Sequence, residues 1–281
     1  MKPSIVVLTD FSPAAERALA YAAVLAPPLA AEVHLVHVYS PPPMNSRVTM
    51  VLHATNARYL RERQRSLAVA AASLPGTATT DLLESDWDEA VEETLDKYHP
   101  LLLVAGLTAT DGPLDEWLSN RTLPLARQTG YPLLLVPQHL PAAALRPPHC
   151  LALAVADEAF TLVPQAIRAA PLLNALGTKI VTVCVLPASK WASGQHGLRA
   201  ARQCGLAATM PTSELHTVLS EAPATGILRA VDELAADVLA LVDRGHGWLH
   251  NLTVDSVFDQ VLRDTTVPVL LLAAEASPPE D

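Results

Sequence analysis

The chain has 281 residues, half of them hydrophobic and 17% charged, with a formal net charge of −10. That length fits two ordinary domains or one large one, and the composition excludes global disorder. The acidic balance disfavours nucleic-acid backbones and anionic membranes as main partners, because both repel negative charge.

Three cysteines, Cys150, Cys184 and Cys204, cannot build a disulfide framework, which fits a reduced compartment. The opening Met1-Lys2-Pro3-Ser4 lacks a signal-peptide pattern and no apolar run approaches 18 residues. The expectation is a cytoplasmic protein that neither crosses nor binds a membrane. Glycine, 11 of 281 residues, is about 4% against a usual roughly 7%. None of the four lysines ends a Gly-rich loop and no G-x-G-x-x-G occurs, which removes the P-loop and the plain dinucleotide fingerprint.

In chain order the strand candidates of the first half are 4–9, 32–39, 79–84, 101–106 and 132–137, short and almost continuously apolar, as strands buried on both faces are. Helical period fills 13–26, 48–73, 87–98 and 115–129, the first opened by Ser12-Pro13, a side-chain cap followed by a residue with helical φ.

The pattern then repeats. Ile5–Asp10 matches Ala152–Asp157, and Val33–Val38 matches Ile180–Val185, both at an offset of 147. Leu101–Gly106 pairs with Val238–Asp243 at 137, and Pro132–Val136 with Pro268–Leu272 at 136. The second copy has therefore lost a short helix's worth of chain between Val185 and Thr217. Charge divides evenly, with 10 basic and 15 acidic residues in 1–140 and 9 and 14 in 141–281, and Pro141–Pro148 reads as a linker.

Alternating strands and helices require a parallel sheet with right-handed crossovers. Each half is expected to be a doubly wound five-stranded α/β domain, residues 1–140 and 147–275, with the two sheets packed about an approximate two-fold axis. Ligands of such sheets lie outside the carboxyl ends of the strands. That places Asp10, Val38 and Gly106, and their counterparts Asp157, Val185 and Asp243, at the two candidate sites.

The stretch Thr9-Asp10-Phe11-Ser12-Pro13-Ala-Ala-Glu16-Arg17-Ala18-Leu19-Ala20-Tyr21-Ala22 resembles the opening of universal stress protein domains. Ala126–Pro137 and Asp255–Leu272 resemble their last helix and fifth strand. The resemblance covers nearly the whole chain as two fused copies. It implies the adenine-nucleotide α-hydrolase-like fold of a stress-induced family divided into ATP binders and non-binders.

The binders carry a loop after the fourth strand of the form G-x-x-G, nine residues, then G-S or G-T, whose backbone N–H groups approach the phosphates. Here the first copy has Gly106-Leu-Thr-Ala109 and Ser119-Asn120, one glycine of three. The second has Asp243-Arg-Gly-His246 and, one residue short of the spacing, Asp255-Ser256, none of three. Asp111, Asp115 and Glu116 in one loop, and Asp243 and Asp255 in the other, stand where phosphates would lie, and like charges repel. On the resemblance, the nucleotide-contact candidates are Thr9, Asp10, Val38, Gly106, Ala109, Ser119 and Asn120 in the first copy. Asp157, Val185 and Ser256 form a degenerate set in the second.

Each candidate has a plainer reading beside it. Asp10 and Asp157 either line an adenosine pocket or cap the helices beginning near Ser12 and Glu158. His34 and His37 lie three apart in one strand, so they face opposite ways and cannot share a metal. The superfamily's H-x-G-H motif is replaced by Thr9-Asp10-Phe11-Ser12, and no G-x-S-x-G nucleophile elbow occurs. Asp243, His246 and His250 have metal-ligand spacing on a helix, but Gly245 and Gly247 point to a loop. Cys184 reads as a small core hydrophobe. Arg58, Arg61 and Arg65, with Arg63 beside them, are either a dock for an acidic or phosphorylated partner or a solvated helix face.

The sequence reading is therefore a non-enzymatic stress-response binding module with degenerate nucleotide loops. It implies no metal and no firm cofactor, with ATP as the one candidate at the first domain's site. The alternative is an ATP- or AMP-binding, slowly hydrolysing protein that uses the first domain's site. A flavin or other nucleotide carrier on the same topology rests on fold analogy alone. Leu133–Pro137 and Val269–Ala273 are so apolar that they are expected to meet as an internal pseudo-dimer seam, leaving an unidentified protein or a further copy of the chain as outside partner.

Overall fold

The computed structural model describes residues 2–40, 49–76, 78–108, 124–187, 193–244 and 257–276. The first half runs β1 (Ser4–Leu8), α1 (Pro13–Leu25), β2 (Glu32–Val38), α2 (Thr49–Ala72), β3 (Ala78–Leu83), α3 (Trp87–Tyr98), β4 (Leu102–Leu107), α4 (124–129) and β5 (Leu133–Pro137). The second runs β6 (Cys150–Val155), β7 (Phe160–Leu162), α5 (Ala170–Leu176), β8 (Lys179–Leu186), α6 (Gln195–Gln203), β9 (Glu214–Leu219), α7 (Pro223–Glu233), β10 (Val238–Asp243), α8 (Val257–Asp264) and β11 (Val269–Ala276).

The strands form one sheet in the order β3-β2-β1-β4-β5-β11-β10-β6-β8-β9, parallel within each half. The halves join through an antiparallel pair, with Leu135 opposite Val269, Leu134 opposite Leu270 and Leu133 opposite Leu271. The two five-stranded units therefore share one hydrogen-bonded sheet, rather than packing as two separate sheets. Both core layers run across the join: Leu134 and Leu270 lie in one, and Leu133, Leu135, Val269 and Leu271 in the other.

The pairing carries an internal two-fold relation. Leu134 faces Leu270, and 270 − 134 = 136; the same shift exchanges the flanking pairs Leu133·Leu271 and Leu135·Val269. It also carries the β4–β5 register, Leu103 beside Leu133, onto the β10–β11 register, Leu239 beside Val269.

This register corrects two of the repeat offsets. Leu103 neighbours Val6, and Leu239 neighbours Ala152, so the first strands correspond at 152 − 6 = 146, not 147. The fourth strands correspond at 136, not 137. A one-residue slip moves every side chain to the opposite face, and the core layers confirm the corrected values. Ile5 and Val7 share a layer with Leu151 and Leu153, while Val6 shares the other with Ala152. Asp10 therefore corresponds to Ala156, Gly106 to Val242, and Leu107 to Asp243.

The missing chain lies where the repeat placed it: α2 has 24 residues and α6 only 9. A second difference was not expected. Where α1 follows β1, the second half has the short strand β7, paired antiparallel with the end of β11. Phe160-Thr161-Leu162 alternates buried and exposed, Pro164 interrupts any helix there, and α5 has only 7 residues. In the first half, by contrast, Ser12 Oγ accepts the Ala15 N–H at 3.2 Å and Pro13 opens an uninterrupted 13-residue helix.

The seam is dry: Leu135 is 1% exposed and Leu271 3%. We expect Leu135→Lys or Leu271→Lys to lower stability by several kcal/mol, the effective penalty for burying an unpaired charge, and to promote aggregation. Leu219→Lys, on the outer strand β9 at 60% exposure, should leave the melting temperature within a degree or two, as surface changes do. Thermal unfolding and size-exclusion chromatography compare the three; equal melting temperatures would show that the seam does not hold the halves together.

Candidate functional site

At the carboxyl ends of β1 and β2 the chain turns sharply. Thr9 donates its N–H to the Val36 carbonyl at 2.9 Å, and its Oγ1 accepts the Phe11 N–H at 3.1 Å. Asp10 Oδ1 accepts the Ser12 N–H at 2.9 Å. This is a local turn bond, and the cap of α1 is Ser12 itself. Asp10 is half-buried, and its second carboxylate oxygen has no hydrogen-bond partner among the described residues. Between them Phe11 sits at φ 66°, a left-handed conformation that costs a non-glycine residue about 1–3 kcal/mol.

That strain seats the Phe11 ring over His37, with centroids 4.6 Å apart. The Arg63 guanidinium covers Phe11 at 4.9 Å and Tyr59 at 4.8 Å, and Tyr59 lies 4.9 Å from Tyr39. His37 donates Nδ1–H to the Thr9 carbonyl at 2.7 Å, which leaves Nε2 as the unprotonated acceptor. Nε2 is buried and has no hydrogen-bond partner among the described residues. Burial pushes the imidazole pKa down, with the Arg63 charge acting the same way against the Thr9 bond and Asp10. His34 faces the opposite layer, stacked on Tyr98 at 3.9 Å with Nδ1 on Thr79 Oγ1 at 2.6 Å. The two histidines are separated by the sheet, as their spacing requires.

Val38 closes β2 with a buried side chain. Gly106, near the end of β4, meets α1: a Cβ there would lie 2.4 Å from the Ala14 carbonyl carbon. Helix packing alone thus accounts for this glycine. Ala109, Ser119 and Asn120 lie outside the described residues, as do Asp111, Asp115 and Glu116.

The second half is built differently. Asp157 does not cap a helix beginning near Glu158, because none forms there. It caps α6, some forty residues on: Oδ2 accepts the Gly194 N–H at 3.0 Å, and Oδ1 accepts those of His196 and Gly197 at 2.9 and 3.3 Å. Helix α6 is seated directly on the end of β6, where a Cβ on Gly197 would lie 2.4 Å from the Ala156 carbonyl oxygen. Val185 packs against α7, within 2.5 Å of where a Cβ on Gly226 would stand. Ser256 lies outside the described residues. At the end of β6, then, Asp157 is engaged by the first turn of α6 and not left facing the strand end.

Asp243 is bound across the seam. Arg127 of α4 donates Nε–H and Nη2–H to its two carboxylate oxygens, both at 3.1 Å. His246 and His250, its partners in the metal reading, lie outside the described residues. Among the described residues no three His, Cys, Asp or Glu side chains gather as metal ligands. Cys184 is fully buried, and burial, with Asp157 nearby, pushes its thiol pKa up to about 11, so it is a core residue and no thiolate. The arginines of α2 divide: Arg58 pairs with Glu62 at 3.0 Å on the exposed face, and Arg63 turns inward to Phe11. No helix among the described residues is long and apolar enough to cross a membrane.

Residues 1–137 and 157–273 each match the universal stress protein family. None of the curated proteins compared matches the chain in sequence. Among solved structures, a universal stress protein from Archaeoglobus fulgidus DSM 4304 is similar over 97% of this chain and 99% of its own, at 15% identity and a TM-score of 0.66. A functionally unknown protein from Pseudomonas aeruginosa PAO1 is similar over 96% and 92%, at 18% identity and 0.54. A putative universal stress protein from Pseudomonas aeruginosa UCBPP-PA14 is similar over 97% and 93%, at 17% and 0.53.

Two outcomes follow from the contrast between the halves. Gly106→Val should destabilise by about 1–3 kcal/mol through overpacking against Ala14, read by denaturant titration. The Asp157 carboxyl is raised by burial but lowered more by the three N–H groups it accepts, so its pKa is held below the ordinary carboxylate value. Its stabilisation is present above about pH 3.9 and is lost as pH falls through the depressed folded value. Asp157→Ala should cost about 1 kcal/mol at pH 7, as a lost cap does, and the gap from the parent protein should narrow as the pH falls below about 3.9.

Proposed function

Because this chain belongs to the universal stress protein family, we propose that it acts as a non-catalytic binding module with a single ligand site, in its first half. The second half serves as the structural partner that covers the first half's edge strand. The observation that carries the reading is the contrast between the ends of β1 and β6. Asp10 keeps one oxygen without a hydrogen-bond partner among the described residues, in the turn whose Thr9 carbonyl is held by His37. The end of β6 is covered by α6, with Asp157 as its cap.

The ligand class is an adenine nucleotide at Thr9, Asp10, Val38 and Gly106, held weakly. The family's phosphate loop depends on glycines whose backbone N–H groups face the phosphates. Only Gly106 remains here, and α1 already demands it. A bound nucleotide would gain its affinity from the strand ends, with Asp10 positioned to accept from its sugar or base.

Calorimetric titration with Mg-ATP and with AMP tests this. Affinity no tighter than roughly 100 μM, about −5.5 kcal/mol, is expected. Asp10→Ala should weaken it and Asp157→Ala should leave it unchanged, with no ATP turnover. Micromolar affinity, or equal sensitivity to both substitutions, would overturn the single weak site. Release of phosphate would restore the hydrolytic reading.

A further inference from the structure

The internal two-fold relation gives the residues near the seam counterparts, and among the described residues one counterpart is missing its partner. The 136-residue shift carries Leu125 and Ala126 of α4 onto Val261 and Leu262 of α8, and all four are buried in the same core layer. It therefore carries Arg127 onto Arg263 and, through the β4–β5 and β10–β11 registers, Leu107 onto Asp243.

On one side of the seam the relation is filled. Arg127 reaches from the first half to the end of β10 and grips Asp243, whose side chain is only 10% exposed, through two bonds of 3.1 Å. On the other side, Arg263 of the second half stands in the same relation to the end of β4, where the chain offers Leu107, an apolar side chain with no acceptor. Arg263 is exposed in the last turn of α8 and forms no ion pair among the described residues. Its five N–H donors are fixed in a planar fork suited to a carboxylate or phosphate. In an open α/β sheet, the carboxyl end of a strand is also where ligands lie.

We infer that Arg263 is the anion-binding residue of the first half's site, delivered across the seam, and that it takes a phosphate group of a small-molecule ligand. The second half then completes the first half's site, and Asp243 is the built-in carboxylate that occupies the equivalent arginine on the other side. The inference deepens the single-site reading above and rests on it for the identity of the ligand, though not for its charge.

Titration of the full chain with ATP, adenosine and inorganic pyrophosphate separates the two. Arg263→Gln should weaken ATP and pyrophosphate about tenfold and leave adenosine unchanged, with Arg263→Lys intermediate because a point charge replaces a bidentate fork. Arg127→Gln should lower the melting temperature without changing ATP affinity. ATP bound equally by the parent protein and Arg263→Gln would overturn the assignment and leave the nucleotide reading standing. Pyrophosphate bound through Arg263, with no affinity for adenosine, would uphold the assignment and overturn the nucleotide reading. No binding of either phosphate compound by the parent protein would overturn both.

Discussion

The antiparallel contact of β5 with β11 is the interaction on which the rest of the molecule depends. Each of these strands ends its half's sheet, and each carries an unbroken run of leucine and valine, Leu133–Val136 and Val269–Leu272. Left open, either would present unpaired backbone groups and an apolar face to any other strand. Pairing them satisfies both edges at once and merges two small cores into two continuous layers. Further ties cross at the same place. Arg168 donates to the carbonyls of His99 and Pro100 at 2.6 and 3.0 Å, and Arg127 holds Asp243. The linker is fixed as well, with Asp237 accepting from Arg146 and from the N–H groups of His149 and Cys150.

With the seam fixed by symmetry, the two halves were free to diverge away from it. The divergence is concentrated at the strand ends, where an α/β sheet would otherwise hold a ligand. The second half shortened its crossover after β8, and the shorter helix dropped onto β6, with Asp157 supplying the cap that its first turn needs. A carboxylate that accepts three backbone N–H groups has little capacity left for a sugar hydroxyl or a base. The first half kept the long α2, whose Arg63 closes over Phe11, the ring that lies against His37.

Most of the architecture was legible in the sequence because short apolar runs and helical periods are local signals. Ser4–Leu8, Glu32–Val38 and Leu133–Pro137 fall within a residue or two of their predicted limits. The register between copies was less legible. Ile5-Val-Val-Leu and Ala152-Leu-Ala-Val are apolar on both faces, so no alternation marks which residue points where, and a match one residue out looks as good as the true one. The site was the least legible part. That Asp157 would cap a helix some forty residues away, or that Arg127 would find Asp243 at a separation of 116 residues, depends on tertiary packing that no local pattern encodes. The positive φ of Phe11 has no sequence signal either, since residues that tolerate it readily are usually Gly, Asn or Asp.

The register also changes what the missing glycines mean. Gly106 is required because Ala14 of α1 presses against it, so its Cβ would lie inside the helix backbone. Its true counterpart is Val242, in the half where β7 and a short α5 replace α1. Val242 instead packs against the core and lines a small cavity with Phe160 of β7, Phe258 of α8 and the charged Glu158 and Arg244. Loss of the glycine and loss of the helix are therefore a single event: once α1 is gone, a side chain at this position fills space that would otherwise be empty. A glycine absent from a nucleotide-binding pattern is commonly read as the loss of a phosphate contact. At Gly106 and Val242 the difference follows from packing.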